Sequence, residues 1–497
     1  MTNHFKKLVI VGISVPLAAC VVGPDYVRPE AIVSSEFKEV VGWKAAQPLD
    51  SVLPTNWWEV FHDARLNALE EQVASANQSI LQAQAQYHQA QHLVQSAQSA
   101  FFPLINLTGS ANRFRAASGQ SAAIPGVRNL FGSATAVAWE PDIWGSVSRT
   151  VESNTASAQA STATLQALLL SLQATLAQNY FQIKVLDSQK ALLEGTAKAY
   201  EKTLTINQNR YAVGMVAKSD VMQAQTQLES IRAQSINLGV QRAKLEHAIS
   251  VLIGKTPSEL SLAASSLDVA VPEIPVSLPS QLLERRPDIA AAERKMAAAN
   301  AQIGVAKAAY YPSLNLAATN GFQTTDISSL FTLARRYWAL GPAGAALTIF
   351  DGGAKNAQYK QTIDLFDASV AGYRQTVLTS FQEVEDNIAA LRILAQEQET
   401  QNKAVDYANQ ALALTINQYQ AGTVSYLNVM TAQTAMLSNR QTALQLQGEQ
   451  LLSSVLLIKA LGGGWNESLL PSPEKATGDT KWTDYLILPL GSVFNIQ

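Results

Sequence analysis

The sequence predicts a mainly α-helical, internally duplicated chain that carries a small β part in each half. Two pairs of similar segments indicate the duplication: residues 307–322 resemble residues 98–114, and residues 415–430 resemble residues 205–222. Aligning Tyr311 on Phe102 gives an offset of 209 residues, and aligning Tyr419 on Tyr211 gives 208. Because two distant landmarks keep nearly one spacing, a unit of about that length occurs twice.

Two intervals without proline predict the helices, since proline interrupts a helix. They lie between Pro141 and Pro257 and between Pro342 and Pro471. Each is expected to hold two long helices separated by one turn, at residues 211–214 and 419–422. Apolar residues at spacings of three and four fit either a coiled coil or the buried face of a compact bundle. Residues 145–210 alone would form roughly 100 Å of helix, which favours an elongated assembly.

Four shorter stretches predict two β-hairpins. Polar and apolar residues alternate at 104–110 and 313–319, with return strands at 132–139 and 338–350 and loops near 116–129 and 323–336. Aromatic residues at the ends of an apolar stripe are typical of membrane-barrel strands, although a soluble hairpin with one buried face shows the same alternation. Four strands per chain fall short of the roughly eight in a closed membrane barrel. Three chains would supply about twelve strands and leave a lumen.

The composition excludes several classes of protein. Of 497 residues, 47% are hydrophobic and 15% are charged, and 36 basic and 39 acidic side chains leave a net charge of −3. This balance predicts no nucleic-acid surface. Cys20 is the only cysteine, so neither an intrachain disulfide nor a multi-cysteine metal site can form.

The first 20 residues look like a bacterial lipoprotein signal. Lys6 and Lys7 precede an apolar run at residues 8–15, and small residues precede Cys20. In such a signal residues 1–19 are removed and Cys20 carries diacylglycerol and an N-acyl chain, palmitate. An ordinary secretory signal with an incidental cysteine is the alternative. Val21 follows the cysteine, and by resemblance to enterobacterial lipoproteins it favours the outer membrane.

The segment after Cys20 contains Pro24, Pro29, Pro48 and Pro54, and predicts an extended strap. No later apolar run reaches the roughly 18 to 20 residues of a membrane-spanning helix. If the mature chain crosses a bilayer, it is expected to do so with strands.

Short motifs in a fixed order carry a resemblance to a known family. They are residues 20–26 (CVVGPDY), 57–58 (WW), 102–104 (FPL), 139–145 (WEPDIWG), 285–289 (RRPDI), 311–314 (YPSL), 350–353 (FDGG) and 461–465 (LGGGW). Together they resemble the TolC-like outer membrane factors, in particular the lipoprotein branch typified by OprM. The resemblance covers nearly all of the mature chain.

This resemblance implies a long α-helical coiled-coil barrel joined to a trimeric 12-stranded transmembrane β-barrel with four strands per chain. It implies a homotrimer in the outer membrane of a Gram-negative bacterium, extending into the periplasm. Such proteins are exit ducts of tripartite efflux systems and conduct substrates, by analogy drugs, passively. Their partners are a periplasmic adaptor (membrane fusion protein), an inner-membrane pump of RND, MFS or ABC type, and outer membrane lipid. Neither enzymatic activity nor a cofactor other than the lipid is expected.

We expect six regions along the chain. They are a signal peptide (1–19), the anchored strap (20–56), a first repeat (57–260) with a hairpin at about 102–144, a linker (261–278), a second repeat (279–465) with a hairpin at about 311–351, and a C-terminal tail (466–497).

In the resembled family the two helix turns form the periplasmic tip, which closes the resting channel and receives the adaptor. The corresponding tip residues are Tyr211, Val213, Gly214, Met215, Ala421, Gly422 and Thr423. Asp220 matches one gate aspartate of TolC. The closing ion pair and acidic ring of TolC do not transfer, because its arginine and two aspartates are replaced by Val424, Asn428 and Thr431.

We therefore expect closure to depend on packing of Tyr419 and on hydrogen bonds near Arg210, Lys218 and Asp220. The alternative is that these charges are simply solvated at a helix turn.

Several apparent chemical signals are weak. Residues 254–256 (GKT) imitate a phosphate-binding loop, but Ile249 stands where a glycine is required. His88 and His92 have a spacing that could chelate zinc, yet no further ligand pattern lies nearby, so a solvated or lumen-facing pair is expected. A lipid-anchored coiled-coil scaffold or adhesin without a pore remains one alternative, and a secreted enzyme, which would need a polar site that the motifs do not show, is another.

Overall fold

The computed structural model describes residues 21–31, 37–39, 56–115, 127–274 and 284–478. Its described α-helices are α1 (Ala64–Ala76), α2 (Gln78–Gln98), α3 (Ser146–Ala212), α4 (Lys218–Leu252), α5 (Pro287–Ala308), α6 (Ala354–Gln420), α7 (Tyr426–Ala460) and α8 (Pro473–Ala476). Its strands are β1 (Leu104–Arg115), β2 (Val127–Trp139), β3 (Ser313–Thr324) and β4 (Arg336–Ala346). Cys20 and the predicted signal peptide lie outside the described residues.

The duplication is confirmed by the lengths of the helices. Helices α3 and α6 each contain 67 residues, and α4 and α7 each contain 35. Every boundary in the second pair lies 208 residues after its counterpart in the first. At 1.5 Å per residue, α3 and α6 are each about 100 Å long.

The helices lie side by side, and each long helix is paired with a shorter one. Helix α3 packs against α2 and α5, and α5 packs against α6. Helices α4 and α7 run back from the far ends of α3 and α6 and pack along them. The sheet therefore lies at one end of the molecule, and the turns between the paired helices lie at the other.

A carboxylate and a glycine start each long helix. Gly145 and Gly353 precede α3 and α6 with φ of +79° and +91°, a left-handed conformation that glycine adopts without steric cost. Asp142 accepts hydrogen bonds from the N–H groups of Val147 (2.9 Å) and Ser148 (2.7 Å). Asp351 occupies the same place before α6. These residues explain the WEPDIWG and FDGG motifs as strand-to-helix turns.

The proline-free stretch after Trp57 contains two helices, because Asn77 interrupts it. Its side-chain oxygen accepts from the N–H groups of Ser79 (2.9 Å) and Ile80 (3.3 Å), so it caps α2. Its amide also donates to the carbonyl of Leu252 (2.7 Å), which ties this break to the end of α4.

The main core lies halfway along α3. Trp57 is fully buried there, and the ring of Phe61 lies 4.8 Å from that of Phe181. Asp63 accepts from the ammonium of Lys184 (2.7 Å) and the hydroxyl of Tyr180 (2.9 Å) beside this core. Burial alone would raise the pKa of Asp63, but the bonds from Lys184, the backbone of α1 and Tyr180 lower it.

The four strands form one antiparallel sheet in the order β1–β2–β3–β4. Both hairpins are confirmed, but their strands differ from the predicted bounds. Strands β1, β2 and β3 are longer than predicted, and β4 ends at Ala346 rather than at residue 350. Ala346 pairs with Ser313, and the preceding Pro312 has no N–H to continue the ladder. Residues 116–126 of the first predicted loop lie outside the described residues.

The pairing register gives the sheet two different faces, because successive side chains of a strand point to opposite sides. One face is mainly apolar: Ile105, Leu107, Phe131, Val137, Trp139, Leu314, Leu316, Ala318, Phe322, Trp338 and Leu340. The other is mainly small or polar, with Asn106, Thr108, Ser110, Asn112, Ala134, Ala136, Asn315, Thr319 and Gly344. Leu107 is 79% exposed and Leu340 84% exposed, so the described residues leave much of the apolar face uncovered.

In the described ranges, no helix combines the length and the apolar character that crossing a membrane requires.

Residues 21–31 lie against the helices near the sheet. The N–H of Val22 donates to the carbonyl of Trp144 (3.1 Å), and Val21 lies against Gly145. Arg149 is 4% exposed and pairs with Asp25 at 2.7 Å. The residue after Cys20 is thereby placed at the junction between sheet and helices.

Candidate functional site

The two tip turns are built in the same way. At the end of α3 the N–H of Met215 donates to the carbonyl of Arg210 (2.8 Å), and that of Gly214 donates to Tyr211 (2.9 Å). The turn after α6 repeats both bonds 208 residues later. Gly214 and Gly422 have φ of +75° and +78°. Both turns are Schellman motifs, so the predicted role of the two glycines as left-handed helix ends is confirmed.

Arg210 joins the two turns across the tip. Its guanidinium donates to the carbonyl oxygens of Tyr419 (2.9 Å) and Gln420 (2.8 Å), the last two residues of α6. The same group lies 4.7 Å from the centre of the Tyr419 ring, in cation–π geometry. A positive charge at the C-terminus of a helix also interacts favourably with the helix dipole.

Tyr419 is buried behind this contact. Its hydroxyl donates to the Oδ1 atom of Asn207 (2.6 Å), and its ring centre lies 6.0 Å from that of Tyr426. Tyr419 is 5% exposed and Asn207 is fully buried. With Ala224 and Val429 the two tyrosines form an apolar cluster at the tip. We call Arg210, Asn207 and Tyr419 the tip latch.

The structure separates the two remaining gate candidates. Lys218 is exposed, and none of the described residues accepts a hydrogen bond from its ammonium or pairs with it. Asp220 is half-buried in the first turn of α4 and lies near Tyr426. Burial, with the added effects of Tyr200, Tyr419 and Asp220, raises the pKa of Tyr426 to about 12. Lys218 therefore does not join the contacts formed by Arg210 and Tyr419.

Val424, Asn428 and Thr431, which stand where TolC has an arginine and two aspartates, form no charge-based contact among the described residues. Val424 packs against the tyrosine cluster, and the hydroxyl of Thr431 donates to the carbonyl of Leu427 in its own helix. In the described structure no ion pair involves residues 205–225 or 413–435.

The two turns present different surfaces. The first exposes the side chains of Tyr211 (46%), Val213 (69%) and Met215 (74%). The second exposes Ala421, Gly422 and Thr423, which are small or polar. Of the two turns themselves, only the first thus exposes large apolar side chains.

Two residues of the tip cluster escaped the sequence prediction, Asn207 and Tyr426. Tyr426 lies seven residues after Tyr419, a spacing that puts both on one helical face only if the helix continued through the turn. Asn207 has no signal in the sequence, because its importance comes from burial opposite the Tyr419 hydroxyl.

The apparent phosphate-binding loop is a helix end. Helix α4 ends at Leu252, Gly254 has a φ of +71°, and the N–H of Lys255 donates back to Ser250 (2.9 Å). No group of three or more potential metal ligands exists among the described residues.

The family model described as "Outer membrane efflux protein" matches the chain twice, at residues 69–255 and 278–463. The chain belongs to the outer membrane efflux protein family. The double match agrees with the duplication seen in the helices.

Curated members of this family are similar over nearly their whole length. The probable efflux pump outer membrane protein TtgC of Pseudomonas putida is 30% identical, covering 93% of this chain and 96% of the relative. OprJ of Pseudomonas aeruginosa is 28% identical over 92% of this chain and 95% of its own. The probable outer membrane lipoprotein SilC of Salmonella typhimurium is 27% identical over 93% and 99%.

Solved structures confirm the predicted fold class. The outer-membrane channel OprN has a TM-score of 0.85 at 27% identity, covering 90% of this chain and 100% of that one. The open state of the MtrE channel of Neisseria gonorrhoeae has a TM-score of 0.80 at 26% identity, covering 90% and 99%. This efflux protein is thus an outer membrane channel component of an efflux system with a helical barrel and a β-barrel, as the sequence predicted.

Proposed function

We propose that three copies of this outer membrane efflux protein form one continuous duct, with about twelve strands in the outer membrane and a helical tunnel below it. The observation that carries the proposal is the two-faced sheet. Its apolar face suits lipid and its small and polar face suits a water-filled lumen.

The edges of the sheet support association of chains. Strands β1 and β4 are the two edges of the four-stranded sheet. An unpaired strand edge in lipid leaves backbone groups without hydrogen bonds, which costs several kcal/mol for each group. Pairing β1 of one copy with β4 of the next would satisfy both edges, and a closed ring of three copies would leave none.

The tip latch is the proposed gate. Arg210 and Tyr419 hold the end of α6 against α3, so the helical hairpin of the second half cannot move outward without breaking these contacts. Lys218 is then an exposed group beside this gate, and Asp220 a half-buried carboxylate near Tyr426. The exposed apolar turn at Tyr211, Val213 and Met215, together with the smaller turn at residues 421–423, would receive the periplasmic adaptor.

Cys20 is the proposed lipid attachment point. Val21 and Val22 lie beside Trp144 and Gly145, where the helices meet the sheet. A diacylglycerol and an N-acyl palmitate on the preceding cysteine would therefore enter the membrane next to the β part. The relative SilC is named as an outer membrane lipoprotein, which supports this placement.

The chain is proposed to conduct passively and to have no enzymatic activity. Energy would come from an inner-membrane pump of RND, MFS or ABC type, coupled through the adaptor. Relatives are named for efflux of antibiotics and of toluene, so amphiphilic organic solutes including drugs are the proposed substrates.

One experiment tests assembly and conduction together. The full-length protein, extracted in detergent from outer membranes, is expected to migrate as a trimer that heating dissociates, and to show discrete single-channel currents in planar bilayers. A monomer that stays outside the membrane, or a trimer that never conducts even after its tip is destabilised, would instead indicate a scaffold without a pore.

A further inference from the structure

A pair of histidines on α2 lies far from the tip and has no part in the proposed duct. His88 and His92 are both exposed. Four residues apart on a helix, they are neighbours on one face, with Cβ atoms about 5 to 6 Å apart.

Each imidazole is held by a glutamine one turn further along. The Nδ1 atom of His88 lies 3.1 Å from Oε1 of Gln91, and the Nδ1 atom of His92 lies 3.0 Å from Oε1 of Gln95. A carboxamide oxygen only accepts hydrogen bonds, so each Nδ1 carries the proton. Each Nε2 atom then keeps a lone pair available for another partner.

The C-terminal segment orients both glutamines. The amide Nε2 of Gln95 donates to the carbonyl of Thr477 (3.1 Å). The amide Nε2 of Gln91 donates to the hydroxyl of Tyr87 (2.9 Å) and lies 3.5 Å from the carbonyl of Lys475. Turning either amide over would place its oxygen against a carbonyl oxygen. The backbone of the C-terminal segment therefore favours the form in which Nδ1 is protonated, more strongly for His92 than for His88.

This arrangement is the usual surrounding of a metal-binding histidine, in which one ring N–H donates to an oxygen and the other nitrogen is free to bind. It occurs twice in consecutive turns of one helix. We infer that His88 and His92 chelate a divalent first-row transition metal ion through their Nε2 atoms, with water completing the coordination. Cu²⁺ should bind most tightly, since nitrogen sites follow the Irving–Williams order.

A packing role does not explain the two histidines. By the offset of 209 residues their counterparts in the second half are Ala297 and Ala301 on α5. These alanines are buried, at 7% and 0% exposure, whereas the face of α2 that carries His88 and His92 is open. In the second half these two positions are buried and hold alanines. In the first half they are accessible, and they hold the histidines.

The site has two protein ligands, which limits its affinity. No group of three or more His, Cys, Asp and Glu side chains lies together in the described ranges. A modest affinity suits reversible occupancy rather than a structural metal that the fold would require.

The test uses the untagged full-length protein in detergent, titrated with Cu²⁺ and followed by calorimetry and electron paramagnetic resonance. We expect one Cu²⁺ per chain with nitrogen ligands. His88→Gln and His92→Gln should each weaken binding by more than about tenfold, because each removes half of the chelate. His247→Gln, an exposed histidine on α4, is the matched control and should leave binding unchanged. Equal affinity in the wild type and in either single variant would overturn the proposal.

A second variant separates orientation from ligation. Gln95→Ala keeps both imidazoles but removes one orienting oxygen, and should weaken binding by about 10- to 100-fold. Gln82→Ala, an exposed glutamine of the same helix, should have no effect. Cu²⁺ should also raise the thermal midpoint of the wild type, with reversal by a chelator, because a ligand that binds only the folded state stabilises it. Absence of that shift at saturating Cu²⁺ would count against the site, whatever the variants do.

Discussion

Replacing Arg210 by alanine is the sharpest test of the tip latch. The change removes two hydrogen bonds from a charged donor, at 2.9 and 2.8 Å, and a cation–π contact at 4.7 Å. A hydrogen bond to a charged group contributes about 1.5 to 3 kcal/mol, and an exposed cation–π contact about 0.5 to 1 kcal/mol. Because one bond is exposed to water, we expect a loss of about 2 kcal/mol per protomer rather than the full sum.

A difference of about 2 kcal/mol corresponds to a change of roughly 30-fold in the ratio of open to closed tips. Single-channel recording in planar bilayers measures this ratio as the fraction of time spent at high conductance. Arg210→Lys keeps the charge but not the forked donors, and should fall between the wild type and Arg210→Ala.

Lys218→Ala is the matched control, because it removes a cation from the same tip whose ammonium forms no hydrogen bond or ion pair with the described residues. It should behave as the wild type does. If Arg210→Ala stayed as closed as the wild type, or if Lys218→Ala opened the channel equally, the contacts of Arg210 would not be what closes the tip.

Three further outcomes are expected. Tyr419→Phe removes a buried hydrogen bond and leaves its acceptor unpaired, so the contacts that close the tip should be weakened by about 1 to 3 kcal/mol and trypsin should cleave the tip faster. Unchanged cleavage would exclude a role for that hydroxyl. Asp63→Ala leaves the ammonium of Lys184 buried without its partner and should lower the free energy of unfolding in urea by about 3 to 5 kcal/mol. A simultaneous Lys184→Met change should recover part of that stability. Since folding lowers the pKa of Asp63, the stability that its carboxylate contributes should be present above about pH 4 and be lost as the pH falls through the pKa of the folded state. Asp63→Asn should flatten that part of the curve of thermal midpoint against pH. Leu107→Arg on the apolar face of the sheet should cost about 2 to 4 kcal/mol and reduce the yield of membrane-inserted trimer, whereas Asn106→Arg on the opposite face should be tolerated; equal yields would contradict the assignment of the two faces.

The helices and their ends could be predicted from local signals. Proline positions bounded the first pair of long helices to within 5 residues and the second pair to within 12, because a proline acts on its own turn whatever the rest of the chain does. Gly214 and Gly422 were recognised for the same reason, since a left-handed helix end is a property of one residue.

The strand ends could not be predicted in the same way. Residues 347–350 look like a continued strand by their apolar character, yet pairing stops at Ala346 because the partner strand begins after Pro312. The ends of a strand depend on where its partner strand begins and ends, and the residue pattern of one segment carries no information about the partner.

The tip latch shows the same division. Clustering at a turn predicts Arg210 and Tyr419, while Lys218, chosen by the same reasoning, forms no side-chain hydrogen bond or ion pair within the described ranges. Asn207 was missed because a buried asparagine and a solvated one look alike until the opposite helix is placed.

By itself the sequence determined the duplication, the long helices, the turns that end them and the family, because each depends on residues close together in the chain or on ordered motifs. Only the tertiary structure decided which face of the sheet is apolar, which cation holds the two tip turns together and which nitrogen of each histidine on α2 is free. These three depend on strand register, on helix-to-helix distance and on backbone carbonyls brought from more than 380 residues away, and such relations between distant segments exist only once the chain has folded.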